Sequence, residues 1–141
     1  MTPVAKRLQA DVEALAAKVK GVELQPVQIA EGANGLLGEV SASKITGEEE
    51  RYSHIDLIDF EANVEGSEAA FEAVKPLLDA NDPDLGGEIE VDFKMVFNSL
   101  QPYRTANGFV AYTKLTPADT RKLAMAIDTL AEKLSQVPAA I

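Results

Sequence analysis

Val4, Leu8, Val12, Leu15 and Val19 recur at steps of four, four, three and four, which traces one face of a helix. Thr2-Pro3 ahead of them supplies an N-cap and a proline at the first helical position, and Gly21 is a stop. After Leu24-Gln25-Pro26, the apolar positions Ile29, Ala33, Leu36/Leu37 and Val40 predict a second helix. Gly32, Gly35 and Gly38 weaken it and line one of its sides, where a neighbouring helix is expected to approach closely. Gly47 punctuates, and Glu48-Glu49-Glu50 reads as an acidic first turn opening a third helix that runs to Val64 or beyond. Gly66 and Pro76 predict a bend or break before Asn81.

Asp82-Pro83 starts a fourth helix with Ile89, Phe93, Val96 and Leu100 facing inward. Pro102 to Leu115 reads as a loop with Asn107-Gly108 as its turn. Thr116-Pro117-Ala118-Asp119 caps the last helix, whose stripe is Leu123, Ile127, Leu130, Leu134 and Val137, with Pro138 at its end. No strand alternation of useful length interrupts this pattern. The expectation is an all-α, up-and-down bundle of about five helices, forming one helical domain over residues 1–141.

Composition sharpens the functional class. With 46% hydrophobic residues the chain can bury a core, and 141 residues suit one domain. The formal charge of −10 argues against a nucleic-acid partner, which demands a basic face. It is compatible with cation binding, though acidity often serves solubility alone. The absence of cysteine excludes thiolate metal sites and cysteine nucleophiles. No membrane-length apolar run and no signal peptide precede the first helix.

Most of the chemistry lies between Gly47 and Gly66. If that segment is helical, Ile55, Ile58 and Ala62 form one apolar wall and Leu57, Phe60 and Val64 another. Glu49, Tyr52, Asp56, Asp59 and Asn63 form a polar strip between the walls. Carboxylates at such spacing present ligands to a metal in helical bundles, which makes Glu49, Asp56 and Asp59 candidate ligands. The alternative is that Asp56 and Asp59 pair with Arg51, Arg104 or lysines of neighbouring helices. Arg51, Tyr52, Ser53, His54 and Asn63 are candidate supporting residues. His54, the only histidine, falls with Glu50, Glu61 and Glu65 on the side facing water.

Enzyme motifs are absent: there is no His-Glu-x-x-His helix, no phosphate-cradling glycine loop and no nucleophile elbow. Ser53 beside His54 is not a catalytic pair, because neighbours on a helix point apart. Met95 and Met125 fall within or beside apolar stripes and read as core.

The run Ser43-Lys44-Ile45-Thr46-Gly47-Glu48-Glu49, followed by Arg51-Tyr52-Ser53-His54, Asp56-Leu57, Asp59-Phe60, Ala62-Asn63-Val64 and Gly66, resembles that of EfeO/EfeM-type proteins of the imelysin family. Tyr103-Arg104, Gly108-Phe109, Tyr112, Asp119 and Arg121-Lys122-Leu123 extend the resemblance towards the end of the chain. It implies the C-terminal half of a two-bundle helical protein, exported to the periplasm and working in iron uptake beside a membrane permease and a haem peroxidase. The family's His-x-x-Glu metal motif has no counterpart here, since the third residue after His54 is Leu57. The resemblance implies a non-enzymatic metal-binding role with ferrous or ferric iron as the metal, copper, zinc or calcium being alternatives. Two other functions stay open: a cation-bridged module for an acidic, alginate-like polysaccharide, and a purely structural or assembly domain. The second-helix glycines and the two apolar walls of the third helix predict a homodimer.

Overall fold

The structure, a computed structural model, describes residues 2–42, 44–47 and 50–141. These described residues form an all-α bundle with a single two-residue ladder. The helices are α1 (Pro3–Val19), α2 (Pro26–Ala42), α3 (Asp56–Asn81), α4 (Pro83–Leu100), α5 (Pro117–Leu134) and the short α6 (Val137–Ala140). Strands β1 (Arg104–Thr105) and β2 (Gly108–Phe109) pair antiparallel, Arg104 opposite Phe109 and Thr105 opposite Gly108. Asn107-Gly108 is therefore part of a tight hairpin, with Gly108 at a φ of +121°.

Helices α2 to α5 pack in a ring, each against the next and α5 back against α2. Asp82 alone separates α3 from α4, so the two run antiparallel. Its carboxylate caps α4 by accepting from the Leu85 amide at 3.0 Å. The inward stripes are those the periodicity predicts: Ile89, Phe93, Val96 and Leu100 on α4, and Leu123, Ile127, Leu130 and Leu134 on α5, are all buried. Phe71 of α3 meets Phe93 at the centre, with ring centroids 5.7 Å apart. The Thr116 capping box forms in full, its hydroxyl and amide both bonded to Asp119.

Five expectations change. Helix α3 begins at Asp56, not in the Glu48-Glu49-Glu50 run, and then continues unbroken through Gly66 and Pro76 to Asn81. Pro76 sits on the exposed side of α3. The backbone of Gly32, Gly35 and Gly38 faces solvent, with nothing within 4 Å of where their β-carbons would stand. No helix approaches there, because α2 turns its alanines, Leu37 and Val40 to the bundle instead. Met95 and Met125 are exposed, Met125 by 70%, since each lies beside its buried stripe and not on it. Pro138 opens α6 in place of closing α5.

Helix α1 forms as predicted, with Thr2 Oγ accepting from the Ala5 amide at 3.4 Å. It buries no residue. Val4, Leu8, Val12, Leu15 and Val19 are between 55 and 78% exposed, so the face the periodicity marks as apolar is uncovered.

Candidate functional site

The described residues ahead of α3 are built against the 103–115 connection. Ile45, in a 3₁₀ turn over Lys44–Thr46, offers its carbonyl to the Tyr112 hydroxyl. The Tyr112 amide donates to the His54 carbonyl at 2.9 Å. The Tyr112 ring lies against Gly47. His54 adopts a φ of +57°, unusual for a residue with a side chain, and its amide donates to Glu50 at 2.7 Å. The tyrosine, brought from far along the chain, thus fixes the turn that ends in α3.

Asp56 closes this loop. It is only 4% exposed, and its Oδ1 accepts the Glu50 amide at 3.2 Å. Its Oδ2 is buried without a hydrogen-bond partner. The buried oxygens Asp79 Oδ1 and Asp92 Oδ2 also lack directed hydrogen bonds, but each of those carboxylates has a cation. Lys75 holds Asp79 through its other oxygen, and Lys133 Nζ stands 2.9 Å from Asp92 Oδ2. That ion pair satisfies the Asp92 oxygen despite its imperfect alignment. None of the ion pairs between described side chains includes Asp56. Its negative charge is felt by Tyr112, whose hydroxyl is pushed up to about 12 by burial first and by Asp56 second.

The other candidate residues separate. Glu49 lies outside the described residues. Asp59 is half-buried one turn beyond Asp56, and its carbonyl accepts the Asn63 amide group at 2.6 Å. Ser53 donates to the Glu50 carboxylate. Arg51 is exposed, and Tyr52, 95% exposed, stands clear of the bundle instead of lining a polar strip. The strip does not exist as a helical face because Tyr52 precedes the helix. Of the two walls, Leu57, Phe60 and Val64 are core, whereas Ile55, Ile58 and Ala62 are exposed. Arg104 pairs with Glu61 and lies 4.5 Å over the Phe109 ring, tying the hairpin to α3.

The described residues contain no group of three or more His, Asp or Glu side chains arranged to hold a metal ion. Nor do the clefts coincide with Asp56. One of about 440 Å³ is lined by Pro83, Gly87, Glu88 and Val91 of α4 with Lys133, and another of about 290 Å³ by Met95, Met125 and their neighbours. Both lie along the seam between α4 and α5. Tyr112 and its two bonds to the loop escaped the sequence reading, although the tyrosine falls in the late part of the resemblance.

An all-α bundle with a carboxylate-centred loop at one helix start defines only a broad class, and sequence comparison narrows it. The imelysin family profile matches residues 1–137, and the chain belongs to the imelysin family. It is 44% identical over 137 residues to proteins described as "Iron uptake system component EfeO" from Escherichia coli and from Shigella flexneri. Those matches cover 97% of this chain but 36% of each relative, so the chain spans little more than a third of their length. No described helix is long and apolar enough to cross a membrane.

Proposed function

We propose that this chain is a non-enzymatic, metal-binding part of a periplasmic iron-uptake system, with iron as its cargo. The observation that carries this reading is Asp56 Oδ2, a buried carboxylate oxygen with no hydrogen-bond partner, in a chain similar to iron-uptake components. A buried, unpaired carboxylate is costly, and a cation offsets that cost. Its chemistry fits: carboxylate and hydroxyl oxygens are hard donors suited to iron, and also to calcium. Asp56 is the central ligand. Glu49 and Asp59 are the further carboxylates of this reading, and the Ser53 hydroxyl donates to the carboxylate of Glu50 ahead of α3. A site with few ligands holds its ion weakly, which suits a cargo that must be passed on. The membrane permease and haem peroxidase of the same system are the partners in transfer.

Isothermal titration with ferrous and ferric iron tests this reading, with copper, zinc and calcium as comparisons. Asp56→Ala is expected to weaken iron binding about tenfold or more, equivalent to roughly 1.4 kcal/mol. Tyr52→Ala, at an exposed position, should leave it unchanged. Equal affinities for the parent chain and Asp56→Ala would overturn the assignment.

A further inference from the structure

Helix α1 and the α4/α5 seam are complementary surfaces that the bundle leaves open. Helix α1 offers Val4, Leu8, Val12, Leu15 and Val19 on one face and has no buried residue. The seam carries the exposed side chains Val91, Met95 and Met125, with its clefts end to end along α4. Methionines suit a surface that receives another helix, because their unbranched side chains adapt to its shape. Gly87 lies in the seam with nothing within 4 Å of its β-carbon position, which leaves room for close backbone approach.

Lengths match as well, and α1's segment carries a charge opposite to that of the rest of the chain. Seventeen residues make α1 about 25 Å long, and the seam from Pro83 to Ser99 runs the same length along α4. Residues 1–22 hold four basic and two acidic side chains, a net +2. The remaining residues hold nine basic and twenty-one acidic, a net −12. The segment that carries α1 and its uncovered apolar face is thus positively charged within an acidic chain. It does not cover its own seam: α1 stands off the bundle, and residues 20–25, which join it to α2, are exposed.

The geometry points to a second copy of this chain as the occupant: α1 of each copy lies in the α4/α5 seam of the other, giving a closed two-fold dimer. Reciprocal exchange buries both apolar faces of both copies, the kind of area, above about 1,200 Å² in total, that a stable dimer needs. This interface is separate from the Asp56 loop and stands whether or not that loop binds iron.

Sedimentation equilibrium of the full chain at micromolar concentration is expected to give twice the 15.1 kDa chain mass. Leu8→Asp with Leu15→Asp, and separately Met95→Asp with Met125→Asp, should each weaken association about tenfold or more. All four positions are exposed in the chain, so circular dichroism should show the bundle retained. If either aspartate pair unfolds it, the corresponding double alanine variant is read in the same way. A parent chain of monomer mass overturns the proposal, including the case in which α1 folds back on its own seam. A dimer lost with the α1 pair but kept with the methionine pair also overturns it, because α1 would then be pairing with α1.

Discussion

Tyr112 and Gly47 are in contact so close that a β-carbon at position 47 would have to displace the tyrosine ring. A β-carbon there would come within 2.3 Å of Tyr112 Cδ1, and the glycine holds a φ of +73°. Gly47→Ala therefore meets a left-handed backbone cost and a displaced ring together. The expected loss is about 2–4 kcal/mol of unfolding free energy. Urea denaturation followed by circular dichroism measures it, and a loss under about 0.5 kcal/mol would mean the ring swings aside freely.

The same tyrosine sets an alkaline limit on the fold. Its folded pKa of about 12 lies above the ordinary 10.0, so the neutral phenol is favoured by folding. That contribution is complete below about pH 10 and disappears as pH rises through about 12. Tyr112→Phe should remove this decline, while losing about 0.5–1.5 kcal/mol at neutral pH with the hydroxyl's bond to Ile45. Burial raises Tyr103 too, so phenolate absorbance must be compared between the parent chain and the variant.

Lys133 reaches across from α5 to Asp92 and Glu88 of α4, and its pKa is raised by its bond to Asp92 first and Glu88 second. Lys133→Met should destabilise the chain, because Asp92 is then buried without a cation. The double change with Asp92→Leu should recover much of the loss. Thermal melts of the three variants test this, and a double variant no better than Lys133→Met would contradict it.

Phe71 has no exposure and Met125 is mostly exposed, although both lie in apolar stretches. Phe71→Ala should remove about 3–5 kcal/mol, and Met125→Ala should stay within about 0.5 kcal/mol in the monomeric state. Chemical denaturation at low protein concentration separates them.

Much of the bundle can be read from the chain where one rule suffices. The stripes of α4 and α5 are strict, and Thr116 and Asp82 sit where caps belong, so burial follows directly. The start of α3 cannot be read in that way. Glu48-Glu49-Glu50 has the charge of a first turn, but the turn at His54 is held by the Tyr112 amide, and no local pattern shows a bond between residues so far apart. The candidate site suffers from the same cause. Asp56 is buried, yet Tyr52 and Asp56 share no helical face, because the helix begins only at Asp56. For α1 the periodicity reveals an apolar face but not what covers it. Met95 and Met125 show that apolar residues flanking a stripe need not enter the core.

The open glycines of α2 have a thermal consequence. Three residues along its outer side have no side chain to screen the amide–carbonyl ladder from water, and each costs the helix about 0.5–1 kcal/mol relative to alanine. Helix α2 persists because Leu37 and Val40 anchor its inner side. On warming it should be the first of the ring helices to fray, exchanging its amide protons sooner than α4 or α5. Loosening would begin at the strand of chain that leads into the Asp56 loop, so the carboxylate would become accessible before the rest of the bundle opens.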